Sequence, residues 1–331
     1  GGTALVDSYQ YDQLNRLTQT NTTVGSNSVT QVLSYDSFGN IKSKSDVGNY
    51  AYTDARPHAA TTINGQTYSY DNNGNMSSGN GRTLYHTAFD KPYRVTQGAN
   101  DISFAYGDNR QRFKRVDTHL NKTTYYLGNV EIRVIKNSSG VITRKETKRF
   151  IGGNAVVTNS YDGAATNFRR LSTSTDFLVT DHQGSLDVII SDEGIIKYQA
   201  GFDAWGLRRE VATGGALGAA ALNNLLQTTN KGYTGHETLD DVGLIHINGR
   251  AYDPKLARFV EADSVLPRPD DLQSYNRYAY VRNTPANTTD PDGHCEFTCM
   301  AIIGAIVATS FAVQDYVMYH DGPQWLADLT T

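Results

Sequence analysis

The sequence predicts a mostly β fold, in which short strands are joined by tight turns. Tyr outnumbers Phe by 21 to 11, and Tyr favours the half-buried surfaces of strands. Gly is abundant, with 30 residues, whereas Pro is scarce, with 8. A Tyr-Asp pair followed by polar residues and by Gly or Asn recurs along the chain. Such recurrence is typical of a repeated unit of strand and turn.

The repeated unit couples an aromatic strand end to a turn. Asp, Asn and Gly supply the side-chain hydrogen bonds and the positive φ angles that tight turns require. Apolar and polar residues alternate in strand-like runs at residues 66–70, 102–106, 123–127 and 177–180. One unit cannot bury its apolar face alone, so successive units are expected to stack into a continuous, curling sheet. The clearest copies begin at Tyr11, Tyr35 and Tyr70, and looser copies begin at Phe89, Tyr106 and Phe202.

The character of the sequence changes after the repeats. Residues 211–227 are rich in Ala, Gly and Leu, which predicts a connection running into a short helix over residues 219–226. Residues 232–293 are dense in motifs and lack the repeat, and residues 294–331 have a helix-like composition. We therefore expect a repeat region over residues 1–231, then the 232–293 segment, then a short helical tail.

Charge and apolarity exclude several classes of function. The net charge of −4, with Lys and Arg scattered, offers no basic surface, so no nucleic acid is expected as a partner of the repeat region. The apolar run over residues 300–313 is shorter than the roughly 20 residues that cross a bilayer, so no stable membrane span is expected. Cys295 and Cys299 are too few for a disulfide framework. No signal peptide is visible in the first residues.

The residues predict neither a metal site nor a cofactor. His236, Glu237 and His246 are candidate metal ligands, but they lack the i, i+4 histidine pair found on the helices of many zinc enzymes. The Gly-x-Ser-x-Gly motif of α/β-hydrolases is absent from the sequence. A hydrolase with a serine nucleophile is therefore not expected.

The 232–293 segment contains an ordered set of motifs. They are Gly-Arg-Ala-Tyr-Asp-Pro-Lys-Leu-Ala-Arg-Phe at 249–259, Glu-Ala-Asp at 261–263, Asn-Arg-Tyr-Ala-Tyr at 276–280, Asn-x-Pro at 283–285 and Asp-Pro-Asp-Gly at 290–293. With the Tyr-Asp repeats and the Asp-His-Gln-Gly-Ser turn at 181–185, this set resembles the RHS/YD-repeat family. The resemblance covers roughly residues 9–293, and the motif set is similar to the RHS repeat-associated core segment.

The resemblance implies a shell of β-strands wound spirally into a hollow cocoon around a C-terminal toxin. In related bacterial proteins the core segment closes this shell as a plug. The implied partners are the chain's own toxin cargo and an upstream shell segment or delivery component. An immunity protein is a further candidate partner. The implied localisation is outside the producing cell, by secretion or delivery through a bacterial secretion system, or at the cell surface. With 331 residues, the chain is expected to be the C-terminal part of such a shell or an unusually small version.

The resemblance also implies self-cleavage by a pair of aspartates. Asp263 and Asp290 match the family's two positions, and Asp292 is the reserve candidate. Two neighbouring carboxylates can share a proton, so that one acts as a base on water while the other acts as an acid. An Asp-Pro-Asp-Gly sequence is also a common β-turn that needs no chemistry. The alternatives at this position are therefore a cleavage site and a plain turn.

The implied cut lies between His294 and Cys295, directly after the turn. The family often has Leu where this chain has His294, and often has Pro-x-Gly where this chain has Ser-Val-Leu after Asp263. Arg258 and Arg277 are candidates to orient a carboxylate by bidentate pairing, and a plain surface or core-rim salt bridge is the favoured alternative for each.

Three functions follow as hypotheses. The first is a shell that encapsulates a toxin and releases it by aspartate-dependent self-cleavage, a possible single-use protease acting in cis. The second is a cell-surface binding or adhesion protein whose Tyr-rich faces contact carbohydrate, without catalysis. The third is a tail that acts as a small membrane-active effector.

Overall fold

Antiparallel strands are the main secondary structure of the described residues, which confirms the predicted mostly β fold. A computed structural model describes residues 5–163, 169–266 and 269–294. The helical tail predicted after residue 294 lies outside the described residues.

The first sheet has seven strands, and their order in the sheet is their order in the chain. Each strand therefore pairs with the one before and the one after it, as stacked repeat units require. The strands are β1 (Leu5–Tyr11), β2 (Leu17–Val24), β3 (Asn27–Tyr35), β4 (Ile41–Lys44), β5 (Gly48–Ala51), β6 (Thr62–Ile63) and β7 (Gln66–Thr67).

The second sheet has 13 strands and again follows the chain order. The strand predicted over residues 66–70 is divided between the two sheets, because Tyr68 turns into the interior and is 4% exposed. The strands are β8 (Ser69–Tyr70), β9 (Met76–Gly79), β10 (Arg82–His86), β11 (Pro92–Gln97), β12 (Asn100–Tyr106), β13 (Arg112–Asp117), β14 (Lys122–Leu127), β15 (Val130–Lys136), β16 (Ile142–Ile151), β17 (Ala155–Asp162), β18 (Arg170–Thr180), β19 (Leu186–Ser191) and β20 (Ile196–Gln199).

The aspartate of each Tyr-Asp unit organises the turn that follows it. The Asp36 carboxylate accepts hydrogen bonds from the backbone N–H groups of Phe38 and Asn40, at 2.8 and 2.9 Å. Asp71 repeats this arrangement with Asn73 and Asn75, both at 2.9 Å. Such side-chain bonds satisfy backbone groups that the end of a strand leaves without a ladder partner. Equivalent carboxylates lie at Asp12, Asp181 and Asp203.

The connection after the repeats carries the one α-helix among the described residues, α1 (Ala219–Thr228). It covers the predicted range 219–226 and extends to Thr228. Buried cations hold its C-terminal end: Arg133 donates to the carbonyl of Leu226 at 3.0 Å, and Lys148 donates to that of Gln227. No helix in the described ranges is both long and apolar enough to cross a membrane. The short 3₁₀ helices are Thr118–Leu120, Tyr233–Gly235, Asp240–Val242, Leu272–Tyr275 and Val281–Asn283.

The 232–293 segment forms a small sheet whose strand residues are all buried. One hydrophobic cluster joins it to both repeat sheets, with Leu244 and Ala251 packed together with Leu17 and Ile102. The segment is thus enclosed by the repeat sheets. A hairpin of β21 (Gly201–Phe202) and β22 (Arg208–Arg209) precedes it, and its own strands are β23 (Glu237–Leu239), β24 (Leu244–Ile247), β25 (Arg250–Asp253) and β26 (Arg258–Phe259).

Candidate functional site

The turn at residues 290–293 is held by its backbone carbonyls. Strands β24 and β25 are joined by a hairpin turn at residues 248–249. Both turn residues and Arg250, the first residue of β25, each donate a hydrogen bond to one carbonyl of the 290–293 turn. His236 donates to the remaining carbonyl. The pairs are Asn248 Nδ2 with the Pro291 oxygen at 3.3 Å, Gly249 N with Asp292 at 2.8 Å, Arg250 Nε with Gly293, and His236 Nε2 with Asp290 at 2.9 Å.

His236 is buried and neutral in this position. Burial lowers the pKa of its imidazole to about 4. A neutral ring has one N–H, and a carbonyl can only accept, so the Asp290 carbonyl fixes that hydrogen on Nε2. The chain that leads into the expected cut therefore runs along a line of fixed donors.

A single guanidinium connects the two candidate aspartates. Arg250 Nη2 lies 2.9 Å from Asp263 Oδ2 and 3.5 Å from Asp290 Oδ2. The Arg250 side chain is buried and stacks on Phe259, with 3.5 Å from its guanidinium carbon to the ring centroid. Burial lowers the pKa of Arg250 against the opposing effect of the two carboxylates, yet arginine stays charged at any physiological pH.

The second oxygen of each carboxylate faces the turn and the expected cut. Asp263 Oδ1 accepts from the Val265 N–H at 2.9 Å and from His294 Nδ1 at 3.0 Å. Asp290 Oδ1 accepts from the Gly293 N–H at 2.8 Å and from the Asp292 N–H at 3.3 Å. Both aspartates are thus fixed from two sides, and both lie against the residues that precede residue 295.

A small cavity lies between these groups. Its volume is about 20 Å³, and Arg250, Asp263, Asp290 and His294 are among the residues that line it. A cavity of this size holds about one water molecule when polar partners surround it. Two carboxylates, a charged guanidinium and space for one water form an arrangement suited to hydrolysis of a neighbouring peptide bond.

Comparison with known proteins identifies the fold. No protein-family model matches the chain. The tRNA3(Ser)-specific nuclease WapA of Bacillus spizizenii is 26% identical over 270 residues, which are 78% of this chain and 11% of that protein. The crystal structure of TcdB2-TccC3-TEV matches 87% of this chain and 15% of its own, with a TM-score of 0.65 and 20% identity. The chain has an RHS-type fold.

A second solved structure agrees with this assignment. The Photorhabdus luminescens Tc holotoxin pore matches 88% of this chain and 13% of its own, with a TM-score of 0.59 and 20% identity. The chain therefore spans only a small part of the length of each of these proteins. The RHS-type fold describes the architecture, and the chemistry of the site has to be argued from its own residues.

The arginines predicted to orient a carboxylate do not do so. Arg258 donates to the Tyr52 hydroxyl at 3.2 Å and to the His58 carbonyl, and Arg277 donates through Nε to the backbone carbonyl of Asp263. This corrects the expectation for both residues. Each guanidinium instead donates to carbonyl or hydroxyl oxygens, because those acceptors lie beside it in the fold. Arg250 takes the position between the carboxylates.

The remaining predicted residues divide between the turn and the chain after it. Asp292 accepts the His294 N–H at 2.9 Å, so its carboxylate caps the turn beside the cavity. Cys295, on the far side of the expected cut, lies outside the described residues. Sequence reasoning missed Arg250 and His236 as parts of the site. The only signal for Arg250 was its place in the 249–259 motif, which contains Arg258 as well.

The residues considered as metal ligands have other partners. Glu237 is paired with Arg112 and with Arg115. His246 packs edge-on against Phe104, with ring centroids 5.1 Å apart. No cluster of three or more His, Cys, Asp or Glu side chains able to hold a metal occurs within the described ranges.

Proposed function

We propose that the chain is part of an RHS-type shell that encloses a C-terminal toxin and cuts it free once, by aspartate-dependent self-cleavage between His294 and Cys295. Residues 1–231 would form the shell, residues 232–293 its plug and protease, and residues 294–331 the tail, in which the cargo begins at residue 295. The observation that carries the proposal is the Arg250 guanidinium, which holds Asp263 and Asp290 together beside a cavity with room for one water.

In this reaction the peptide bond is hydrolysed by one water. Asp263 has the closer guanidinium, whose charge favours the ionised carboxylate that a general base needs, so Asp263 takes a proton as the water oxygen bonds to the His294 carbonyl carbon. Asp290, less tightly held by Arg250, carries the proton given to the departing Cys295 nitrogen. The carbon–nitrogen bond breaks, His294 gains a carboxyl group, and the two aspartates have exchanged roles. The line of donors to residues 290–293 keeps the His294 carbonyl in place.

Mass spectrometry of the full chain tests this proposal. The wild type is expected to split into fragments 1–294 and 295–331. Asp290→Asn and Asp263→Asn remove an acid or base with little change in shape, so each should slow cleavage by about 10²- to 10⁴-fold.

Asp292→Asn is the matched control for this experiment. It changes an aspartate in the same turn, and its amide oxygen can still accept the His294 N–H. It should cleave within about tenfold of the wild-type rate, since a retained hydrogen bond changes the barrier little. A folded wild-type chain that remains whole would contradict the proposal.

The nature of the cargo and the delivery route are parts of the same proposal. The WapA relative is named as a tRNA nuclease, and one of the solved neighbours is named as a Tc holotoxin pore. A toxin that is synthesised with its shell and released after delivery outside the producing cell fits these names. An upstream shell segment, a delivery component and an immunity protein in the producing cell would be its partners.

Cell-surface binding is the second candidate function. It is favoured by Tyr85 and Tyr93, which are 40% and 41% exposed on neighbouring strands, with ring centroids 6.0 Å apart. Paired exposed aromatic rings can stack on sugars. Binding of the chain to glycans, lost in Tyr85→Ala, would support this function. The third hypothesis, an effector tail, concerns residues outside the described ranges.

A further inference from the structure

His294, the last residue before the proposed cut, occupies a fitted site. Its Nδ1 lies 3.0 Å from Asp263 Oδ1, and its backbone N–H donates to Asp292 Oδ1 at 2.9 Å. The opposite edge of the ring lies against Gly249. A Cβ atom on Gly249 would be 2.6 Å from His294 Cδ2 and would collide with Nε2. The imidazole is therefore held between a carboxylate and a residue without a side chain.

Gly249 is required here by space. Its φ angle lies outside the left-handed region, so its backbone conformation is open to other residues. A side chain at this position would also press on the Asp292 carbonyl, 2.8 Å from the added Cβ, which accepts the Gly249 N–H. The slot for the His294 ring and the donor line that holds the turn thus share one residue.

The His294 ring completes the coordination of Asp263. Arg250 fixes Oδ2 on one side of this carboxylate, while the Val265 N–H and His294 Nδ1 fix Oδ1 on the other. Without the ring donor, Oδ1 keeps only the Val265 N–H. A carboxylate held by fewer donors rotates more freely, and a general base acts efficiently only when its oxygen points at the proton it removes.

We propose that His294 is a positioning residue supplied by the segment that is cut, and that its Nδ1–H orients Asp263 while the Gly249 slot admits its ring. The inference rests on the proposed self-cleavage. On this inference, residue 294 determines specificity on the amino side of the cut. The site favours a residue that has a hydrogen-bond donor at the position of His294 Nδ1. Cleavage is then fast only when the correct segment is seated, because the segment itself completes the base.

The test compares three full-length chains in timed cell-free synthesis, in which self-cleavage is followed from the moment the chain is made. His294→Asn can place its amide N–H where Nδ1–H lies, whereas His294→Leu fills similar space without a donor. Loss of a hydrogen bond to a charged group slows a step by roughly ten- to a hundredfold. The His294→Leu chain should therefore cleave roughly ten- to a hundredfold more slowly than the wild type. The rate of the His294→Asn chain should remain within about fivefold of the wild-type rate. The melting temperatures of both variants, in the uncleaved Asp290→Asn background, should lie well above the temperature of the synthesis, so that a slow variant is slow as a folded protein.

The outcomes separate this inference from the proposed function. A wild-type chain that never cleaves overturns both. If the wild type cleaves and Asp290→Asn does not, the proposed function stands, and a Leu variant as fast as the wild type then overturns the role of His294. An Asn variant as slow as the Leu variant also overturns it, since the donor at the Nδ1 position would then have no effect.

Discussion

The repeat strands and the strands of the 232–293 segment differ in which of their residues are buried. In β10, Arg82 and Leu84 are buried, whereas Thr83 and Tyr85, which alternate with them, are exposed. In β25, residues 250–253 are all buried. A strand with one face in solvent can place its polar side chains on that face by alternating polar and apolar residues. A strand covered on both faces needs a hydrogen-bond or ionic partner for every polar atom that it contains.

Ion pairs show the same contrast. Arg94 and Asp101 pair across exposed strand faces at 2.8 Å, with 46% of the arginine side chain accessible. Two buried pairs instead join a repeat strand to the 232–293 segment. They are Arg82 with Asp253 and Arg115 with Glu237. Because a buried charge without its partner is costly, these pairs specify how the enclosed segment sits against the repeats.

Substitution of Glu237 should cause the largest loss of stability among the buried ion pairs. Its carboxylate receives Arg112, Arg115 at 2.7 Å, the Tyr126 hydroxyl at 2.8 Å and Asn230 Nδ2 at 3.2 Å. Burial alone would raise the pKa of Glu237, but the two guanidinium groups outweigh it and hold the pKa well below its ordinary value. Glu237→Gln leaves Arg112 without its anion and leaves Arg115 with Asp117 alone, and should lower the free energy of unfolding by about 4 kcal/mol at pH 7.

The pH dependence of this loss follows from the direction of the shift. A carboxyl with a depressed folded pKa stabilises the fold above its unfolded pKa of about 4.3, and this contribution is lost as pH falls through the folded pKa. The stability gap between wild type and Glu237→Gln should therefore be full near neutral pH and shrink below about pH 4. Urea unfolding at a series of pH values measures it. A gap that is constant with pH would contradict the charge-pairing argument.

The Arg82–Asp253 pair should give the next largest effect. Both side chains are 1% exposed, and Arg82 also donates to the Val242 carbonyl at 3.1 Å. Asp253→Asn keeps the oxygen that accepts the Leu256 N–H but removes the charge, so one buried cation is left unpaired. We expect a loss of about 3 kcal/mol in urea unfolding.

Asp101→Asn is the control for that substitution. It removes the same charge from the exposed pair with Arg94, where water replaces the partner. The denaturation midpoint should not change measurably. Equal losses at Asp253 and Asp101 would remove the distinction between buried and exposed pairs on which the comparison rests.

The sequence predicts local features well and long-range contacts poorly. The turn at Asp36 could be predicted, because its carboxylate bonds to N–H groups two and four residues away. The position of the helix could be predicted as well, although its C-terminal end could not. Arg133 and Lys148 bind the carbonyls at that end from strands that are distant in sequence, and the sequence of residues 219–228 does not predict these contacts.

The candidate site shows the same limit. The family resemblance leads to Asp263 and Asp290 as candidates, yet the choice among Arg250, Arg258 and Arg277 depends on which guanidinium faces the carboxylates after folding. Arg258 lies closer in sequence to Asp263 than Arg250 does, but its side chain points toward the Tyr52 hydroxyl of the first sheet. Contacts between the enclosed segment and the repeats decide such choices, and sequence spacing does not encode them.

The smallest effect is expected at the glycines of two equivalent turns, Gly39 and Gly74. Both have positive φ, +80° and +89°, so alanine at either position costs about 1–2 kcal/mol of backbone strain. At Gly39 the nearest atom to an added Cβ is 3.9 Å away, whereas at Gly74 the Tyr278 hydroxyl would be 2.8 Å away and Ala262 3.3 Å. Gly74→Ala should therefore lose about 1 kcal/mol more than Gly39→Ala in urea unfolding. Equal losses would mean that the 232–293 segment yields at this contact.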